Sequence, residues 1–196
     1  MNDLATPAAM TKIPGALPEE KYTRQTITSI TQVTDHLFSF RITRDRAYRF
    51  KPGQFARLGV YREDEHGNRS GPRFGWRAYS IVSADYDEFL EFYSIVVPEG
   101  DFTTELARLR VGDELLIEKQ SYGFLTLDRF EGGRDLWLLS SGTGLAPFIS
   151  ILYDMGAWEQ YERLIVVHSV RNANELAYRD TVESFRNHEY FGELLA

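Results

Sequence analysis

Hydrophobic and polar residues alternate in short runs from Tyr22 onward: Tyr22–Thr31, Leu37–Thr43, Gln54–Tyr61, Arg77–Val82, Leu90–Val97 and Asp113–Glu118. A period of two over such stretches, broken by turn residues or by the polar loop Arg62–Phe74, predicts the antiparallel strands of a sandwich or barrel. Within this block Thr103–Leu109, closed by Gly112, has helical spacing. Near residue 130 the pattern changes. Leu136–Ser141 and Leu164–Ser169 are apolar runs of the kind expected of parallel strands buried on both faces. Pro147–Gly156, with Phe148, Ile151, Leu152 and Met155 at helical spacing, and Glu175–Phe185 predict two helices. Strand–helix–strand–helix opens a doubly wound sheet.

This pattern divides the chain into a flexible N-terminal extension over 1–19, a β-barrel domain over 20–130 and an α/β domain over 131–196. Pro7, Pro14 and Pro18 mark the extension, and Glu131-Gly132-Gly133 marks the hinge between the domains. Two parallel strands with two helices cannot cover both faces of an open sheet, which usually has ~4–6 strands. The α/β domain therefore reads as incomplete, and the chain as C-terminally truncated.

Composition narrows the function classes. With 43% hydrophobic and 26% charged residues the chain is of ordinary globular type. The absence of cysteine excludes a disulfide scaffold and a cysteine-ligated iron–sulfur cluster within this chain, and four scattered histidines give no metal-ligand spacing. No apolar run approaches the ~20 residues that cross a bilayer, and Met1–Leu17 lacks the apolar centre of a secretory signal. The expectation is a cytoplasmic protein with no membrane partner. The net charge of −7 argues against a nucleic-acid partner. It is unevenly spread: Arg41 to Arg77 holds ten bases and four acids, a local balance of +6 that leaves −13 elsewhere. Such a basic zone can steer an acidic partner into contact. A solvated arginine-rich hairpin accounts for the same charges equally well.

Four strings carry candidate chemistry. Arg77-Ala78-Tyr79-Ser80 lies in a predicted strand, with Arg77 and Tyr79 on one face and Ser80 on the other. A guanidinium fork suits a phosphate and a tyrosine ring suits a flat ligand, although an ordinary half-exposed strand would also hold these residues. The strand Leu90–Val97 ends in Pro98-Glu99-Gly100-Asp101-Phe102-Thr103-Thr104, where glycine makes the turn and threonines open a short helix whose free N–H groups favour an anion; plain capping by Thr103 is the alternative. Gly142-Thr143-Gly144-Leu145-Ala146-Pro147 follows a buried strand, a position where glycines let a phosphate approach the backbone or merely tighten the turn. At the end of the next strand His168-Ser169-Val170-Arg171 puts an arginine where nucleotides bind such sheets, and His168 is expected to pack beside the sheet rather than to catalyse. No nucleophile–base triad is legible.

Taken in order with Pro52-Gly53-Gln54-Phe55, these strings resemble the ferredoxin–NADP⁺ reductase family in its bacterial branch, from Tyr22 to the C-terminus. The resemblance implies an all-β antiparallel Greek-key barrel that holds FAD, followed by an α/β parallel-sheet domain for NADP(H). It implies that Arg77 binds the FAD pyrophosphate, that Tyr79 stacks on the isoalloxazine with Ala78 beside it, and that Ser80 lies near N5, so that Tyr79 and Ser80 are the residues closest to the reaction. Tyr93 would support the ring or ribityl chain, while Asp101, Phe102 and Thr103 would line the pyrophosphate. Thr143 would face the flavin–nicotinamide junction, and Gly142, Gly144, Val170 and Arg171 would contact NADP(H). The implied activity is electron transfer between NADP(H) and a ferredoxin or flavodoxin, an acidic carrier meeting the arginine-rich zone. An NADH-dependent reductase component of an oxygenase, or an FAD-binding module without hydride transfer, remains open beside it.

Overall fold

Strand pairing in the first half follows from the alternation of apolar side chains. The computed structural model describes residues 19–63, 69–72, 74–190 and 192–195, so the predicted extension over 1–19 lies almost wholly outside the described residues. β1 (Tyr22–Gln32) and β2 (Leu37–Thr43) pair antiparallel with Ile30 opposite Phe40, and a bulge between Ile27 and Ser29 bends β1 over the core. There follow β3 (Phe55–Gly59), β4 (Tyr61–Glu63), β5 (Arg69–Pro72), β6 (Arg77–Ser80) and β7 (Phe89–Ile95). Helix α1 (Asp101–Arg108) and strand β8 (Glu114–Glu118) complete the unit.

Six of these strands form one antiparallel sheet in the order β6-β3-β8-β1-β2-β7. Its two edges, β6 and β7, meet through a single bridge between Ile81 and Phe92, which closes the sheet into a barrel along a nearly unpaired seam. Ile27, Phe40, Ile42, Leu58, Phe92, Leu115 and Ile117 fill the interior at 2% exposure or less. Each such side chain contributes on the order of 1.5–3 kcal/mol of burial free energy. Helix α1 covers the barrel with Phe102 and Leu106 buried.

The second unit begins with β9 (Asp135–Ser141), runs through a 3-10 turn at Gly142–Leu145 into α2 (Ala146–Leu152) and α3 (Met155–Gln160), and returns in β10 (Arg163–Ser169) before α4 (Arg179–Arg186). β9 and β10 pair in parallel, Leu138 opposite Val166. Their cluster is not closed on itself: Leu37, Val82 and Tyr93 of the barrel pack into it with Leu138, Leu145 and Ile149. Ser150 Oγ donates to the buried carbonyl of Ser83 at 2.9 Å across the same boundary.

Several expectations are corrected. The polar loop Arg62–Phe74 pairs at its ends as β4 and β5, although residues 64–68 and 73 lie outside the described residues. The helix expected over Pro147–Gly156 is two helices. Asp154 accepts from Gly156 N–H at 2.9 Å and starts α3 afresh, a local bond that competes with continuing the preceding helix. The helix expected over Glu175–Phe185 starts only at Arg179, because Tyr178 adopts a left-handed backbone with φ 60. Neither β9 nor β10 is buried on both faces: in β10 Leu164 faces the core while Val167 is 43% exposed. In β9 Leu136 and Leu138 face the core, while Trp137 and Leu139 are 59% and 62% exposed.

The start of the parallel pair is fastened by charge. Arg163 donates from Nε and Nη2 to the two carboxylate oxygens of Asp135, at 2.8 and 2.7 Å, and these bonds hold the Asp135 carboxyl below its ordinary value of 3.8. Because the folded-state value is the lower one, the stabilisation is fully present above pH 3.8 and is lost as pH falls through the folded value. Arg163→Met is therefore expected to remove part of the stability loss between pH 4 and pH 2, read as a flatter plot of unfolding midpoint against pH, on the order of one proton or less in slope. A plot that keeps the wild-type slope would rule the pair out as a contributor.

Candidate functional site

Because β6 and β7 are sheet edges that meet at one bridge, the seam between them leaves room for a ligand. A cavity of ≈ 260 Å³ opens there, lined by Ala78, Tyr79 and Ser80 of β6, Tyr93, Ser94 and Ile95 of β7, and Val97 and Thr103 beyond it. The second unit closes it with Thr143, Gly144 and Ala146. Ala78, Tyr79 and Ser80 all line it despite the alternation of a strand, since the cavity runs along the edge of β6 rather than over one face.

Tyr79 is held by aromatic neighbours: Phe102 at 5.9 Å between centroids, and the edges of Phe40 and Phe92 at 6.5 and 6.4 Å. Its hydroxyl lies 3.3 Å from Ser94 Oγ, and burial raises the phenol pKa, so the hydroxyl keeps its proton at neutral pH. Tyr93 is 3% exposed, and burial pushes its pKa up to about 12. Its hydroxyl is buried and accepts or donates no hydrogen bond within the described protein. A buried unpaired hydroxyl beside a cavity is an unfavourable arrangement that a polar ligand would relieve.

The anion-binding features follow from local backbone. Gly100 is the N-cap of α1, and no side chain caps that helix. The Thr103 hydroxyl instead accepts from Val97 N–H at 3.1 Å and faces the carbonyl of Gly100 at 3.3 Å, so it braces the turn. Asp101 is exposed and Phe102 is buried beneath Tyr79, which leaves only the Phe102 backbone available. Arg77 is exposed, with its guanidinium 5.9 Å from the Phe102 ring centre and Nη1 donating to the carbonyl of Trp76. Arg77 and Tyr79 thus share the Phe102 side of β6.

Across the seam, Gly142 has φ 51, and a Cβ on Gly142 or Gly144 would meet no atom within 4 Å. The turn therefore faces open space. His168 Nε2 lies 3.0 Å from the carbonyl of Gly142; a carbonyl only accepts, so Nε2 carries the proton and His168 pins the glycine turn from beside the sheet. Val170 and Arg171 lie after β10 and do not line the cavity, and neither do Arg77, Asp101, Phe102 and Gly142.

No carboxylate or histidine lines the cavity, and its ionisable groups are Tyr79 and Tyr93. No metal-ligand cluster occurs among the described residues, and no described helix is long and apolar enough to cross a membrane. Ser94, Ile95 and Val97 also line the cavity, although the sequence assigns a binding role only to Tyr93 of that strand. Ile95 shares the period-two face of Tyr93 and could have been found that way; Ser94 carries no such signal. The arginine-rich zone is partly consumed in the fold. Arg41, Lys51 and Arg57 pair with Glu91, Asp128 and Glu118 from outside the zone, and Arg44 bonds the carbonyls of Tyr48, Asp85 and Asp87.

A barrel whose open seam meets the glycine turn of a parallel α/β unit is the architecture of a two-part nucleotide-binding oxidoreductase, and residues 138–191 match the family described as the oxidoreductase NAD-binding domain. The chain is 43% identical over 173 residues to the ferredoxin–NADP reductase of Pseudomonas aeruginosa, covering 88% of this chain and 64% of the relative. It is 39% identical over 196 residues to the flavodoxin/ferredoxin–NADP reductase of Rhodobacter capsulatus, covering 100% and 67%. A solved ferredoxin–NADP⁺ reductase from Neisseria gonorrhoeae, with bound FAD and NADP, superposes with a TM-score of 0.76 at 36% identity, over 86% of this chain and 65% of that one. The chain belongs to the ferredoxin–NADP reductase family, and it spans about two thirds of the length of these relatives.

Proposed function

We propose that this chain binds FAD in the seam cavity and serves an oxidoreductase that moves electrons between NADP(H) and a ferredoxin or flavodoxin. The observation that carries this reading is the cavity itself, where Tyr79, Ser80 and Tyr93 of the barrel share one space with Thr143 and Gly144 of the second unit. The donor set suits the cofactor: the unpartnered Tyr93 hydroxyl calls for a polar group, the uncapped start of α1 and Arg77 suit a pyrophosphate, and Tyr79 presents a ring to a flat ligand.

FAD, when bound, supplies the redox chemistry: it accepts a hydride equivalent and releases electrons singly. The protein's part is to bind, align and exclude water. In this reading Arg77 and the backbone of Asp101–Thr103 hold the pyrophosphate, while Ala78, Tyr79 and Ser80 border the ring and Tyr93 holds it from the second edge. Thr143 stands at the junction, and Gly142 and Gly144 keep the turn clear for the nicotinamide side. Val170 and Arg171 serve the nucleotide phosphate. The lining offers no acid–base pair, which suits a transfer in which the cofactors carry the hydride. Tyr79, neutral at physiological pH, acts as a packing surface and hydrogen-bond donor.

The test is reconstitution with FAD followed by anaerobic titration. We expect a yellow protein whose visible flavin absorbance is bleached by stoichiometric NADPH and more slowly by NADH. A protein that stays colourless after reconstitution would overturn the FAD assignment. One that turns yellow but is bleached by neither nucleotide would be an FAD-binding module without hydride transfer.

A further inference from the structure

The segment between β10 and α4 carries Arg171 and reaches back to the barrel through two acid contacts. Glu175, 8% exposed, organises the segment itself: Oε2 accepts from Arg171 N–H at 3.3 Å, and Oε1 accepts from Asn172 Nδ2 at 3.0 Å. The same Oε1 lies 3.8 Å from Nε2 of His36, in the turn between β1 and β2. Three residues on, Tyr178 donates its hydroxyl at 2.9 Å to Oε1 of Glu91 in β7, whose Oε2 takes Arg41 Nε at 2.8 Å. Glu91 is itself 8% exposed, so its carboxylate depends on both partners. The Tyr178 ring also stands edge-on to Tyr93, with centroids 5.4 Å apart at 84°. Tyr93 forms part of the cavity wall.

Tyr178 holds this position with φ 60, a backbone conformation that a bulky residue keeps only where its surroundings impose it. Neither Glu175 nor Tyr178 lines the cavity. Contacts nonetheless run from the Arg171 backbone through Glu175 to the β1–β2 turn, and from Tyr178 through Tyr93 to the cavity.

We infer that residues 171–178 form a clasp in which Glu175 and Tyr178 are positioning residues, setting the Arg171-bearing loop at a fixed place relative to the FAD cavity. The inference rests on the proposed function for the identity of the two ligands, and the contacts stand independently of it. Opening the clasp would free the Arg171 loop and release the Tyr93 ring together.

Hydrogen exchange on the unliganded chain and nucleotide titration of the FAD-loaded chain test this with Tyr178→Phe, which keeps the ring and removes the hydroxyl. Amide exchange is expected to rise about tenfold both at 171–175 and at 92–95, the scale of losing one bond to a charged group, with β8 unchanged. In the FAD-loaded variant NADP⁺ affinity, read from the flavin difference spectrum, should fall about tenfold on the same basis, and FAD affinity should fall by less, because the variant keeps the ring that packs on Tyr93. Exchange that is unchanged, confined to α4, or raised throughout the barrel would overturn the clasp. Raised exchange with unaltered NADP⁺ affinity would overturn the positioning role. Should the wild type fail to take FAD, the proposed function falls and the exchange measurement still decides the clasp.

Discussion

Replacing Gly53 with alanine is expected to destabilise the protein by roughly 2–5 kcal/mol, from left-handed backbone strain added to a steric clash. Gly53 has φ 91, and a Cβ there would lie 1.8 Å from the carbonyl oxygen of Leu125 and 3.2 Å from Ile151 Cδ1. The obstacle is backbone, which cannot rotate aside. Next to it, Gln54 fastens the same crossing: Nε2 donates to the carbonyl of Gly123 at 3.1 Å, and Oε1 accepts from Lys51 N–H and Ser121 Oγ, each at 2.9 Å. The turn before β3 is therefore stitched to the segment that leaves the barrel for the second unit. For a chain of this size the melting temperature should drop by on the order of 5–20 °C. Gly133→Ala is the control, since a Cβ there meets nothing within 4 Å and the backbone is not left-handed. Thermal melts in which the two variants match would contradict the argument.

Gly53 also shows what was legible in the sequence and what was not. Pro52-Gly53-Gln54-Phe55 stood out as a string, but its reason is a contact with Leu125, some seventy residues away, that no local pattern encodes. Strands such as Leu37–Thr43 were legible to the residue because alternation is local and the core enforces it. The breaks at Asp154 and Tyr178 were not, since a side-chain cap and a left-handed residue interrupt spacing that remains helical on paper. The site divided in the same way. Tyr79, Ser80, Tyr93, Thr103, Thr143 and Gly144 were named from sequence and do line one cavity. That they converge depends on β6 and β7 being the two edges of the sheet, a property of strand order rather than of any segment. The buried carboxylate of Glu91 had no signal either: a glutamate in an alternating strand reads as solvent-facing until Arg41 and Tyr178 are placed on it.

Arg77→Ala is expected to weaken FAD binding by ~1.5–3 kcal/mol, the worth of a hydrogen bond to a charged group, or roughly one to two orders of magnitude in dissociation constant. Arg77 is exposed, and among the described residues its one side-chain hydrogen bond goes to the adjacent carbonyl of Trp76, so its removal should leave the unliganded protein's melting temperature unchanged. Its placement beside Phe102, on the same side of β6 as the Tyr79 ring, gives it reach toward both the flat and the phosphate parts of one ligand. Arg77→Lys should recover only part of the loss, because an ammonium supplies the charge without the planar fork that grips two phosphate oxygens. Raising the salt concentration should weaken the wild type more than the alanine variant, since the guanidinium lies where mobile ions screen it. Fluorescence titration with FAD measures all three. Equal affinity in wild type and Arg77→Ala would move the pyrophosphate away from β6 and leave the α1 N-terminus as its main anchor; a lysine variant as tight as the wild type would reduce the role of Arg77 to charge alone.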